Sequence, residues 1–128
     1  MSIHQRTTWA SLRVRFRELL GAPMDESLRL EQILRARSEL AAAHGDLLAM
    51  LPPAQVADVL GDPDRVAVYA ETLAAEAEVR DRAGELARAR ALWGRSLAVA
   101  REARARFPAP DAPLEELVRR LESRPPDG

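Results

Sequence analysis

Cysteine and lysine are both missing from this chain of 128 residues. Without cysteine, the chain can form no disulfide, no thiolate metal site and no cysteine nucleophile. Aromatic residues make up only 4% of the sequence, and β-branched residues are few. Alanine, leucine, arginine and glutamate dominate instead, and these residues enter helices at little cost, whereas strands favour β-branched and aromatic residues. The composition therefore predicts an all-α protein.

Long apolar runs are also missing. No stretch approaches the roughly 20 apolar residues that span a bilayer, and the first residues contain no apolar core of signal-peptide length. We therefore expect a cytoplasmic protein without a membrane partner. The 19 basic residues are all arginine, and with 20 acidic residues the net charge is −1. Since nucleic-acid binders normally carry a basic excess, we expect no nucleic-acid partner.

Glycines, prolines and capping aspartates divide the chain into about six predicted helices. The first covers residues 8–20, and the second runs from Asp25 to Leu51 unless Gly45 breaks it. The other four are predicted at 54–60, 63–83, 85–107 and 114–123. We predict a single helical domain over residues 1–123, with residues 1–21 peripheral or at an interface, and a disordered tail over 124–128.

The helices over 63–83 and 85–107 are predicted to form an antiparallel hairpin around Gly84. Only a tight reversal fits between them, because residues 81–85 leave no room for a longer loop. Charge favours the same pairing: residues 62–84 hold six acids and three arginines (net −3), whereas 85–107 hold six arginines and two acids (net +4). We expect Leu73 and Trp93 to share the interior of this hairpin.

Residues 73–93 resemble one tetratricopeptide (TPR) unit. With Gly84 as the turn glycine, Leu73 and Ala77 match packing positions of the unit's first helix, and Ala89 and Trp93 match the small and aromatic positions of its second. Residues 47–121, which contain the strings LPP and LGDP and a Phe-Pro stop, resemble a bacterial family of small TPR-like helical proteins. This resemblance implies a TPR-like helical hairpin at the centre of a small bundle, and it implies no particular activity.

Four residues are candidates for contact with a ligand or partner. Arg88 and Arg95 lie seven residues apart, on one face of the helix over 85–107, and Trp93 lies on the apolar stripe of the same helix. Arginines on this helix either bind a carboxylate or phosphate, or neutralise the acidic neighbouring helix. His44 lies on the apolar stripe of the second helix, where it is either a structural histidine or a pH-sensitive contact.

Catalytic and metal-binding patterns are not found. Glu71, Glu76 and Glu78 are not spaced to place three carboxylates on one helical face, and no serine, histidine and acid form a recognisable triad pattern. The six glycines are dispersed as helix stops and form no phosphate-binding loop. We expect no catalytic residues, no metal and no cofactor.

Trp9 and Phe16 are the candidates for a subunit interface. Both lie on an apolar stripe of the first helix, which packs either on its own domain or on a second copy. We expect a non-enzymatic interaction or adaptor module that binds a protein partner, most simply itself as a homodimer. The alternative is a regulatory domain that binds a small anionic ligand through the arginines of residues 85–107.

Overall fold

The computed structural model describes residues 3–40, 44 and 47–124. These residues form helices and no strands, so the prediction of an all-α bundle is confirmed. The described helices number seven, and they are α1 Ile3–Gly21, α2 Glu26–Leu40, α3 Leu47–Met50, α4 Pro53–Leu60, α5 Pro63–Arg82, α6 Leu86–Arg106 and α7 Ala112–Glu122.

One more helix is present than the six predicted, because the predicted second helix is two elements. α2 ends at Leu40, and the short α3 begins at Leu47. The predicted break point, Gly45, lies outside the described residues. Arg65 caps the end of α2, since its Nη2 donates to the carbonyl oxygen of Leu40 at 2.6 Å.

The hairpin of α5 and α6 is confirmed, and its turn has a specific hydrogen-bond pattern. Gly84 has a φ of +85°, which glycine adopts at little cost. The Glu85 N–H donates to the Arg80 carbonyl at 2.9 Å, and the Gly84 N–H donates to the Asp81 carbonyl at 3.0 Å. This pair of bonds is the Schellman motif, which satisfies the last carbonyls of a helix and reverses the chain.

Helix α5 forms the centre of the bundle and contacts α1, α2, α4 and α6. Thirteen of its 20 residues are buried. Small side chains let α6 approach closely: Ala77 and Ala89 are buried, and the Ser96 hydroxyl donates to the Ala70 carbonyl at 2.7 Å. Trp93 and Leu73 are also buried in the core, as predicted. Ala74 lines a cleft on another face of α5.

Three aspartates cap helices where the sequence indicated. Asp25 accepts from the Leu28 N–H at 2.8 Å, Asp62 from the Asp64 N–H at 2.8 Å, and Asp111 from the Leu114 N–H at 3.0 Å. Such side-chain acceptors satisfy N–H groups that have no partner within the helix. The caps therefore fix where α2, α5 and α7 begin.

The acidic side chains of α5 bind mainly α1 and α2, and not α6 as the charge pattern suggested. Glu71 accepts from Arg17 of α1 at 3.2 Å, and Glu76 accepts from Arg37 of α2 at 2.6 Å. Arg88 of α6 lies 3.9 Å from Glu76 of α5, and at the turn Arg80 lies 3.3 Å from Glu85. The net charge of a helix does not reveal which face each charged side chain occupies. The charge pattern therefore did not show that the acids of α5 face α1 and α2.

Helix α1 packs on its own chain. Phe16, predicted as an interface residue, is only 2% exposed because it belongs to the core beneath α1. Trp9 is half-buried against the same core, and the Arg65 guanidinium lies 4.5 Å from the centre of its ring. Neither residue therefore offers a free aromatic face of the kind that the interface hypothesis assumed.

The predicted tail begins with an ordered contact. The Arg124 guanidinium lies over the Trp93 ring, 3.2 Å from its centre, and residues 125–128 lie outside the described part of the chain.

Within the residues that the structure describes, none of the helices has both the length and the apolar character that crossing a membrane requires.

Candidate functional site

The predicted arginine site on α6 is not assembled. Arg95 is half-buried, and its Nη2 donates to the carbonyl oxygens of Leu48 and Leu51, at 2.5 and 2.9 Å. It therefore holds the end of α3 against α6. Arg88 is 58% exposed and lies 3.9 Å from Glu76.

The other α6 arginines are also engaged within the chain. Arg101 binds Glu122 of α7 at 2.6 Å, and Arg104 lies 3.7 Å from Glu115 of the same helix. Arg106 lies 2.9 Å from Asp58 of α4. These pairs join α6 to α4 and α7, so each of the three arginines already has a carboxylate partner within the chain.

Trp93 and His44 do not belong to a shared site with these arginines. Trp93 is buried, and its ring is covered by Arg124. His44 is a half-buried turn residue whose carbonyl oxygen accepts from the Leu47 N–H at 3.1 Å. The role of its imidazole stays a prediction.

A cleft of about 570 Å³ lies between α1, α2, α5 and α7. Helical spacing places its lining residues, since side chains three or four residues apart share a face. From α5 come Glu71, Ala74, Ala75, Glu78 and Arg82, and from α7 come Pro113, Glu116, Leu117 and Arg120. The end of α1 and the first turn of α2 form the remaining wall.

The lining combines an apolar surface with both signs of charge. The apolar part comes from Leu20, Ala74, Ala75 and Leu117. Four guanidiniums and four carboxylates surround it: Arg17, Arg29, Arg82, Arg120, Glu26, Glu71, Glu78 and Glu116. Such a surface can hold a ligand that has hydrocarbon next to charged groups.

Two of these arginines also build the cleft wall. The Arg29 Nη atoms donate to the carbonyl oxygens of Leu20 and Ala22 at the end of α1, at 2.7 and 3.0 Å. Arg82 of α5 donates to Glu26 of α2 at 3.1 Å. These bonds tie α1 and α5 to α2, so the cleft is preorganised by contacts within the chain.

Glu71 is the most unusual residue of the cleft. Its side chain is only 6% exposed, and Oε1 accepts from Arg17 Nη1 at 3.2 Å. The other oxygen, Oε2, is buried without a hydrogen-bond partner among the described residues. A buried polar atom left in this way costs about 1–3 kcal/mol. Burial raises the pKa of Glu71 above its ordinary value, although Arg13 and Arg17 partly oppose the shift.

Arg13 lies at the centre of a buried ionic network that adjoins Glu71. Its two Nη atoms donate to the two oxygens of Asp111, both at 2.6 Å, and Nη1 also donates to Asp64 at 3.2 Å. Arg13 Nε lies 3.9 Å from Glu71 Oε1. Burial alone would raise the pKa of Asp111, but the bonds from Arg13 and the Leu114 N–H hold it below its ordinary value. The network connects α1, α5 and the start of α7 behind the cleft.

The sequence contains one signal for this site, and it lies in α5. Glu71 and Glu76 interrupt an otherwise almost apolar stretch of α5, between Val66 and Ala77. Charged residues are rarely buried unless they are paired, so acids in such a stretch indicate buried arginine partners. Among the residues that the structure describes, no group of three metal-ligating side chains is close enough to hold an ion.

No protein-family model, curated protein or solved structure matches the chain. The resemblance to TPR-like proteins therefore stays a prediction.

Proposed function

We propose that this protein is a non-enzymatic binding module that holds a short segment of another protein in the cleft between α1, α2, α5 and α7. The observation that carries the proposal is the cleft itself, whose volume of about 570 Å³ lies within the range of ligand-binding clefts. Its side chains are guanidiniums, carboxylates and aliphatic groups. These groups suit recognition of a polypeptide, which also combines charged and apolar side chains.

The preorganised wall supports this proposal. Arg29 is already held by its bonds to the carbonyl oxygens at the end of α1, so binding need not order it. A site that keeps its shape without ligand avoids part of the entropic cost of association.

The test is a peptide selection with a variant that fills the cleft. Random peptides are selected by display on the wild-type chain and then screened against Ala75→Phe, which places a ring on the apolar surface of the cleft. Ala105→Phe, at an exposed position of α6, is the matched control. We expect selected peptides that bind the wild type and Ala105→Phe but not Ala75→Phe. Peptides that bind all three chains equally, or none after repeated selection, would contradict the proposal.

The alternative function, an anion site on α6, has no observation in its favour, because its arginines are engaged in the pairs described above. Self-association stays a prediction. Of the two aromatic residues expected at a subunit interface, Phe16 is buried in its own chain and so is not exposed for contact with a second copy. Light scattering tests it directly: a mass near 14.1 kDa at all concentrations would exclude the homodimer.

A further inference from the structure

Trp93 is a predicted contact residue to which the proposed function gives no role. Its side chain belongs to the core, and the guanidinium of Arg124 covers one face of its ring. Arg124 is itself only half-buried. This face of Trp93 therefore lies beneath a side chain that reaches the surface.

Two other arginines lie over aromatic rings, and both are held in place by further bonds. Arg65, over the ring of Trp9, donates to two carbonyl oxygens. Arg13, over the ring of Phe107, donates to both oxygens of a carboxylate. The guanidinium of Arg124 has no hydrogen bond or ion pair with any described residue. Its contact with the aromatic ring is therefore not reinforced by a second interaction.

The backbone that carries Arg124 is also weakly attached. Arg124 follows the end of α7, where its N–H donates to the Leu121 carbonyl at 3.3 Å. Helix ends open more readily than helix interiors. A cation–π contact at an exposed site favours the closed arrangement only about two- to fivefold. The ring is therefore uncovered in roughly one-third to one-sixth of the molecules.

We propose that the uncovered face of Trp93 binds an arginine side chain of a partner protein, and that Arg124 is a tethered occupant which this arginine displaces. The occupant indicates the chemistry of the ligand. Its Cζ lies 3.2 Å from the ring centre, and so close an approach suits a planar guanidinium, which stacks on aromatic faces. An ammonium group is not planar and is more strongly hydrated. Exchange of one guanidinium for another also leaves the charge at the ring unchanged.

This site is a second one, beyond the proposed function of the cleft. None of the described residues that line the cleft belongs to α6, the helix that carries Trp93. Filling the cleft by Ala75→Phe should therefore leave binding at Trp93 unchanged. Failure of either proposal leaves the other in place.

The first measurement tests whether Arg124 covers the ring. The full chain carries Trp9→Phe, so that Trp93 is the single tryptophan, and acrylamide, a neutral quencher, reports access to it by fluorescence. Arg124→Ala removes the cover. Arg119→Ala, at an exposed position of α7, removes the same charge and is the matched control. We expect the quenching constant to rise about threefold or more in Arg124→Ala, because the ring is then always uncovered, and to stay unchanged in the control. Equal quenching in all three chains would overturn the proposal.

The second measurement tests the ligand. Three tripeptides with blocked ends, glycine-X-glycine with arginine, citrulline or lysine at X, are titrated at constant ionic strength and followed by saturation-transfer NMR. Citrulline keeps the shape of arginine without its charge. We expect the arginine peptide to bind Arg124→Ala about three- to sixfold more tightly than it binds the chain with Arg124 intact, where the site is open in only part of the molecules. The arginine peptide should also protect Trp93 from acrylamide in Arg124→Ala.

The outcomes that contradict the proposal are specific. Equal affinities of Arg124→Ala for the arginine and citrulline peptides would exclude recognition of the cation. A lysine peptide that binds as tightly as the arginine peptide would exclude selection of a guanidinium. Equal gains in affinity for Arg124→Ala and Arg119→Ala would show a general effect of charge. An arginine peptide that gives no signal with Arg124→Ala would overturn the proposal as a whole.

Discussion

Arg37 of α2 donates from Nη1 to Oε1 of Glu76 in α5 across 2.6 Å. The same guanidinium donates to the hydroxyl and carbonyl oxygens of Thr72, at 3.1 and 3.0 Å. Glu76 is buried, and Arg80 supplies a second bond at 3.1 Å. One side chain of α2 therefore satisfies three acceptors of the central helix.

Removal of this guanidinium should be costly. We expect Arg37→Met to lower the free energy of unfolding by about 3 kcal/mol, because it leaves a buried carboxylate with fewer partners. Urea denaturation measures the change. Arg35→Met on the same helix is the control, since Arg35 is 62% exposed and its ion pair with Glu31 is a surface pair worth at most about 1 kcal/mol. Similar losses for both variants would contradict the role given to Arg37.

Acid should destabilise the bundle through Glu76 and Asp111. Burial alone would raise the pKa of Glu76, but Arg37 and Arg80 hold it below its ordinary 4.5, and Asp111 likewise lies below its ordinary 3.8. The unfolded chain therefore takes up protons first as the pH falls. The stability that these carboxylates contribute is complete above about pH 5 and is lost as the pH falls below their ordinary values. Denaturation at a series of pH values from 7 to 2 checks this, and a profile that is flat below pH 4 would contradict it.

The ionisation of Glu71 should change the stability of the fold with pH in the opposite direction to that of Glu76 and Asp111. Its pKa is raised from 4.5 by burial, so the folded chain holds this proton to higher pH than the unfolded chain does. Stability should therefore fall as the pH rises from about 4.5 through the raised pKa. We expect Glu71→Gln to remove this part of the profile, since glutamine does not ionise. If the variant and wild-type profiles are parallel above pH 4.5, the environment assigned to Glu71 is wrong.

Substitution by alanine should have opposite effects on stability at two of the glycines. Gly94 lies within α6, where an added Cβ meets no atom within 4 Å, so Gly94→Ala should stabilise the chain by about 0.5–1 kcal/mol. Gly84 has a φ of +85°, which a residue with a Cβ adopts only at a cost. Gly84→Ala should therefore destabilise the chain by about 1 kcal/mol or more. Thermal denaturation of both variants is the measurement. A change of the same sign in both would contradict the difference in backbone conformation.

The hairpin could be predicted from sequence because its determinants are local. Gly84 sits between two periodic segments, and Asp62 and Asp111 immediately precede the helices that they cap. These features act over a few residues, so their spacing along the chain is sufficient to identify them.

The cleft could not be predicted because its determinants are distant in sequence. Arg17 and Glu71 are 54 residues apart, and Arg13 and Asp111 are 98 apart. Helical periodicity placed Phe16 on an apolar stripe but did not reveal which surface the stripe would meet. The α6 arginines were equally ambiguous, since the partners of Arg95, Arg101 and Arg106 lie on α3, α7 and α4.

Asp111 serves two helices with one carboxylate. It caps α7 through the Leu114 N–H, and it holds α1 through both Nη atoms of Arg13. Opening either contact weakens the other, so the first and last helices should detach as one cooperative unit while the hairpin remains closed. Amide hydrogen exchange would then show the same opening free energy in α1 and α7, although these helices lie at opposite ends of the described chain.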